Sequence, residues 1–168
     1  PSVGCDAALP RIATWARLAP VGGGPEILAV NTHFDHRGLE ARRMSAIQIR
    51  EWVNEWVSEN VVACALVVVM GDFNAPPSEA AYQELVAGGM LADARAVSET
   101  PPYGPAGTFS GFDVREARDE PIDHVFVSTG TRVIRHGVIT QHDAGRLPSD
   151  HYPVLADIAG GTCPAAAD

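Results

Sequence analysis

The sequence predicts an α/β fold, and three observations carry that prediction. Leu66–Met70 is an unbroken apolar run rich in β-branched residues, which reads as a strand buried on both faces. Before it, Leu39–Asn60 repeats apolar residues at spacings of three and four, the mark of a helix with one buried face. Before that, Glu26–Asn31 is a second short apolar strand. Strand, helix and strand in this order form a βαβ unit. The 168 residues suffice for one domain with a real core.

The other elements follow along the chain. Arg11–Leu18 alternates, with Ile12 on one face and Arg11 and Arg17 on the other, as a strand does. The Gly- and Pro-rich stretch Pro20–Pro25 is a turn, so this strand pairs with Glu26–Asn31 as an antiparallel hairpin. In the helix, Met44, Ile47, Ile49, Trp52, Val53, Trp56 and Val57 share the apolar face, and both tryptophans read as core packing. Arg42, Arg43, Arg50, Glu51 and Glu55 fall mostly opposite, on a face expected to be solvated, although Arg42 stands close enough to the helix start to reach a site there. Asn60 is the expected stop. Gly71 then permits a sharp turn. Pro76-Pro77-Ser78 opens a shorter helix to about Ala87, with Ser78 as the expected N-cap and Gly88-Gly89 as the stop. Leu91–Val97 is short and irregular. Ser98–Glu120 reads as a loop, and one that long inside a compact domain is usually functional. Ile122–Ser128 and Arg132–Gln141 are strands around a Thr129-Gly130 turn, and Tyr152–Ile158 is the last strand. The expected domain covers residues 1–160, followed by a tail at 161–168.

Composition narrows the function. No apolar run approaches the ~20 residues of a membrane span. Twelve basic and twenty-one acidic residues leave a formal charge of −9, which opposes non-specific nucleic-acid binding but still allows a nuclease with a locally positive cleft. Every basic residue is arginine, so Schiff-base chemistry and a P-loop lysine are ruled out. Cys5, Cys64 and Cys163 lack CxxC spacing, which argues against a zinc cluster; Cys64 reads as a core residue, and a Cys5–Cys163 bridge stays open. The chain starts at Pro1 with neither an initiator Met nor a signal-peptide pattern. The compartment is therefore undetermined, with the cytoplasm slightly favoured and secretion still open.

Four polar clusters stand at strand ends: Asn31/His33, Asp72/Asn74, Asp123/His124 and Asp150/His151. Strand ends along one rim of an α/β sheet converge in space. Together they offer carboxylates, imidazoles and amides, with no thiol or hydroxyl nucleophile in an obvious motif. Oxygen-rich ligands of this kind suit Mg²⁺ or Mn²⁺ better than zinc. A carboxylate can activate an attacking water, and a protonated histidine can neutralise charge on a pentacovalent phosphate. The inventory therefore points to metal-dependent hydrolysis of a phosphoester.

Asn31-Thr-His-Phe-Asp35, Gly71-Asp-Phe-Asn74, Ile122-Asp-His-Val-Phe126 and Ser149-Asp-His-Tyr-Pro-Val154, in that order, resemble the endonuclease/exonuclease/phosphatase superfamily, the deoxyribonuclease I-like proteins. His33-Phe-Asp-His-Arg-Gly38 looks most like the bacterial phosphatase/deadenylase-like branch. The resemblance runs from about Arg11 to Ile158 and implies a four-layer α/β sandwich of two mixed sheets flanked by helices. It implies that His33 and Asn74 hydrogen-bond the scissile phosphate and that Asp72 activates the water or binds metal. It also implies that Asp150 is a metal ligand and that His151 stabilises transition-state charge while Asp123 orients it. Asn31, His36, Arg37 and Thr108 are candidate substrate contacts, with Phe109 beside Thr108. His124 reads as packing, and His136 and His142 as exposed. The family's early strand-borne Asn and metal-binding Glu have no counterpart before residue 30, where only Asp6 and Glu26 are acidic. A C-terminal portion of the domain is therefore expected, completed by an N-terminal segment or a second chain. The expected substrate is a small phosphorylated metabolite, sugar or lipid headgroup. DNA or RNA is the alternative substrate, and a non-catalytic binding module or a fragment of the fold inactive on its own is the alternative role. A calcineurin-like phosphatase is disfavoured, because its early Asp-x-His and Gly-Asn-His are missing.

Overall fold

The structure is a computed structural model and describes residues 3–24, 26–59, 66–115 and 119–159. Five strands form one mixed sheet in the order β1 (Ala13–Leu18), β2 (Ile27–His33), β3 (Leu66–Asp72), β5 (Asp123–Ser128), β4 (Leu91–Asp93). β2 and β3 run parallel, joined by helix α1 (Leu39–Glu59), so the expected βαβ unit is present. β1 and β2 make the expected antiparallel hairpin. β6 (Arg132–Val138) and β7 (Val154–Ala159) pair antiparallel as a second sheet.

The described residues supply three layers of the expected four-layer sandwich: helices, the five-stranded sheet and the two-stranded sheet. Val67 and Val69 of β3 pack with Leu28, Val30, Ile49, Val53, Leu85 and Phe126 under α1 and α2 (Ala80–Val86). Leu66 and Val68 point the other way, onto Val127 and Val133, with Ala156 and Ile158 of the second sheet. A strand covered on both faces needs apolar residues at every position, which explains the continuous run. Met70 departs from the expectation of burial: it is 36% exposed, beyond the reach of the two-stranded sheet. β1 departs further, since its whole length is exposed and Ile12 is no better covered than Arg17.

Gly71 is required by close approach rather than by the turn alone. A Cβ there would lie 1.9 Å from the Thr32 carbonyl oxygen of the parallel neighbour, at φ +142°.

Several local expectations are corrected. Ser78 does not cap α2; the N-cap position is Glu79, whose side chain makes no cap bond. That carboxylate is taken by Arg42, at 2.6 and 2.9 Å. Arg42 is buried and also donates to the Asp35 carbonyl, so the arginine face of α1 is not solvated: Arg43 and Arg50 reach Glu84 of α2. His136 is buried, not exposed, because β6 turns its ring inward. The start of α1 is capped from afar by Asp6, whose carboxylate accepts from Ala41 N at 2.8 Å. Cys5 is an exposed free thiol, while Asn60, Cys64, Cys163 and the 161–168 tail lie outside the described residues.

Candidate active site

Parallel pairing sets His33 directly opposite Asp72, and antiparallel pairing sets Asp72 opposite Asp123. Three adjacent strands thus end at one rim with an imidazole and two carboxyls. His33 belongs to β2 itself rather than following it, because the strand continues two residues past the apolar run. His33 Nε2 lies 3.2 Å from Asp72 Oδ2. Asn31, two residues earlier on the same exposed face, stands beside it.

The fourth member arrives from the second sheet. His151 Nδ1 donates to Asp123 Oδ2 at 2.8 Å, and its Nε2 lies 3.8 Å from Asp72 Oδ2. Burial works against a charged His151, but the Asp123 bond and the charges of Asp123, Asp72 and Asp150 outweigh it and raise its pKa. Burial also raises the Asp72 pKa, and the charge of Asp123 adds to this. The Asn74 backbone bond and the two imidazoles act in the opposite direction.

The Asp72–Ala75 turn is built around its own carboxylate. Asn74 N donates to Asp72 Oδ1 at 2.8 Å, and Asn74 adopts a left-handed φ of +49°, which Asn tolerates. One N–H of the Asn74 amide is committed to the Phe34 carbonyl at 3.1 Å.

Thr108 is 1% exposed, and its hydroxyl accepts from the backbone N–H groups of Ile122 and Asp123. Its carbonyl accepts from Tyr152 N, and Ser110 N, Ser110 Oγ and Gly111 N all donate to the Asp150 carbonyl. Phe109 places its ring edge-on against His151, centroids 5.1 Å apart. Sequence reasoning missed Ser110, and it quoted Ser149 only within its motif without a role for the hydroxyl, which accepts from His151 N. Short polar residues in a loop carry no signal that would separate such a role from solvation.

His36 accepts from Arg11 Nη2 at 3.4 Å and lines a cavity of about 310 Å³ with Asn74, Pro76, Asp119, Glu120 and Ile122. Arg37 is exposed at the same corner. Asp35 between them is structural: burial opposes its charge, but four backbone N–H donors, from Gly38, Arg37, Leu9 and Ala8, hold its pKa well below the ordinary value.

Asp72, Asp123 and His151 bring one ligand atom each within 4.8 Å of one another, so this corner could hold a metal ion. Among the described residues the carboxyls of Asp72 and Asp123 form ion pairs with imidazoles and with no arginine, and their mutual repulsion is what a hard divalent cation would relieve. Asp123 Oδ2 is bonded to His151, and Asp72 Oδ1 accepts from Asn74 N. Asp150 stands outside that trio, with Ser149 Oγ 3.4 Å from its carboxylate and its charge felt by His151.

Two sheets with helices and an acid–imidazole rim place the chain in the deoxyribonuclease I-like class of mixed α/β folds. The chain belongs to the Endonuclease/Exonuclease/phosphatase family, whose sequence profile matches residues 8–151. It is similar to a mannosyl-6-phosphatase from Bacteroides thetaiotaomicron, with 34% identity over 95% of this chain and 61% of that one, at a TM-score of 0.85. An endonuclease/exonuclease/phosphatase from Bacteroides vulgatus is 35% identical over 94% of this chain and 59% of that one, at 0.81. The human Nocturnin catalytic domain shares the fold at 19% identity over 89% of this chain and 53% of that one, with a TM-score of 0.65. The chain thus spans about three-fifths of the first two relatives' length. No curated protein sequence matches it. No described helix is long and apolar enough to cross a membrane.

Proposed function

We propose that the protein hydrolyses a phosphomonoester of a small metabolite, with a sugar phosphate as the leading candidate, by in-line attack of water. The observation that carries this reading is the His151 ring, held at Nδ1 by Asp123 while Nε2 faces Asp72 at 3.8 Å. Asp72, a carboxylate made more basic by burial, takes the proton of the attacking water. His33 and the remaining Asn74 amide N–H hold the phosphate oxygens. His151, kept protonated by Asp123, hydrogen-bonds the oxygen on which charge grows. Asp150, with Asp72 as its partner if that carboxylate serves as ligand instead of base, would hold Mg²⁺ or Mn²⁺, which would supply neutralisation of phosphate charge. His36 and Arg37 would contact the rest of the substrate.

A small substrate is favoured over nucleic acid because most arginines are already spent on carboxylates. Arg17, Arg42, Arg43, Arg50, Arg115, Arg132 and Arg135 all sit in ion pairs, which leaves little cation for a polyanion. The mannosyl-6-phosphatase likeness points the same way. Phosphate release from mannose 6-phosphate and p-nitrophenyl phosphate with Mg²⁺ tests the reading. Turnover is expected to fall roughly 10²- to 10⁴-fold in His151→Ala and Asp72→Ala. Equal rates in these variants, or no release by the natural polypeptide, would reject it.

A further inference from the structure

Asp123 and His124 are neighbours on β5, so their side chains leave opposite faces of the sheet. Asp123 faces the rim. His124 goes inward, 3% exposed, and is wedged between two acceptors. Its Nε2 lies 2.9 Å from the Ala75 carbonyl oxygen, and its Nδ1 lies 3.3 Å from Asp93 Oδ2. A carbonyl can only accept, so Nε2 carries a proton. The Asp93 carboxylate also accepts from Tyr82 Oη at 3.0 Å and Arg95 N at 2.8 Å. Both ring nitrogens of His124 thus face protein acceptors, and neither faces the cleft.

Ala75 closes the turn that carries Asp72 and Asn74. Phe73 N donates to Ile122 O, and the Asn74 amide donates to Phe34 O. Phe34 N also donates to the Asp72 carbonyl, and the His124 ring supplies the one further tie that links the turn to β4 among the bonds described for residues 72–75. Phe73, Tyr82 and Phe126 pack their rings around it at centroid distances of 5.9, 5.0 and 5.5 Å.

We infer that His124 and Asp93 form a positioning clamp that sets the Asp72–Ala75 turn, with His124 acting on the reacting groups through the Ala75 carbonyl rather than by touching substrate. In its effect on turnover this inference rests on the phosphoesterase reading; in its effect on the turn it does not.

The double variant His124→Phe/Asp93→Leu keeps an apolar ring against Phe73, Tyr82 and Phe126 and leaves no unpaired carboxylate buried. Amide hydrogen exchange in this variant is expected to rise on the order of tenfold at Phe73, Asn74 and Ala75 while the middle of α1 is unchanged. For p-nitrophenyl phosphate with Mg²⁺, kcat should fall by about tenfold or more with KM little altered. Exchange that rises equally in α1, or stays unchanged at the turn, overturns the clamp. Raised exchange at the turn with kcat unaltered overturns its positioning role. A wild-type protein with no turnover defeats the phosphoesterase reading, and the exchange pattern alone then decides the clamp.

Discussion

Two aspartate–histidine pairs flank β5, and they differ in what is left over. Asp123 and His151 meet at 2.8 Å on the rim, where the His151 side chain is 25% exposed and one of its nitrogens is uncommitted. Asp93 and His124 meet at 3.3 Å in the core, where the imidazole is 2% exposed and both nitrogens are engaged. Of the chain's three Asp-His dipeptides, 35–36, 123–124 and 150–151, the last two supply these histidines, yet neither of those two pairs within itself. Asp123 takes the histidine of the other, and His124 takes an aspartate from β4. The same chemical pair serves proton chemistry when one nitrogen faces a cleft and acts as a fastening when none does.

The contrast predicts opposite effects of equivalent substitutions. Asp123→Asn removes the strongest influence raising the His151 pKa and should lower turnover about 10²-fold. The sign for pH follows from that raised value. A histidine needed in its protonated form supports turnover below its pKa and loses it as pH rises through it. The alkaline limb of kcat/KM in the wild type should therefore lie above the ordinary histidine value of about 6.5, and in Asp123→Asn it should move down toward it. An unmoved limb would break the comparison on the rim side. Stability should change by no more than about 1 kcal/mol, because the pair is partly solvated.

Asp93→Asn should do the reverse in its larger effect. It takes the carboxylate away from the buried His124 ring, Tyr82 Oη and Arg95 N, which costs about 1–3 kcal/mol in unfolding by urea or heat. Burial works to raise the Asp93 pKa, but the His124 bond and charge, with Arg95 N and Tyr82, lower it overall. A depressed carboxylate contributes stability that is complete above its unfolded value, about 3.9, and is lost as pH falls through the folded one. The wild type should therefore lose stability below about pH 4 more steeply than Asp93→Asn does. Equal stability losses in Asp93→Asn and Asp123→Asn would remove the distinction between the pairs.

How much of this was legible in the sequence depended on range. The β2–α1–β3 unit was readable because Leu66–Met70 and the helical spacing of Ile49, Trp52 and Val53 are local signals. The rim was readable because His33 and Asp72 are aligned by strand pairing, and each stands at the end of its own apolar run. The cap on α1 was not, because Asp6 lies 35 residues from the Ala41 amide it accepts. Nor was the fate of Arg42: a helical wheel places it opposite the core, and only the arrival of Glu79 on α2 turns that side inward. Asp93 and His124 were invisible as a pair, since a buried histidine reads as packing until its two acceptors are located.

The smallest expected effect concerns the support of the rim pair. The Thr108 hydroxyl accepts from Ile122 N and Asp123 N, each at 3.1 Å, at the point where β5 begins. Thr108→Val keeps the shape of a fully buried side chain and leaves both N–H groups without that acceptor. Unsatisfied buried donors cost about 1–3 kcal/mol. Because those amides belong to the backbone that carries Asp123, turnover should also fall roughly three- to tenfold through a displaced His151. Thr108→Ser retains the oxygen and loses only a methyl, so it should recover turnover while remaining slightly less stable than the wild type. A Thr108→Ser protein as slow as Thr108→Val would mean that packing of the methyl, rather than the accepted hydrogen bonds, holds Asp123 against His151.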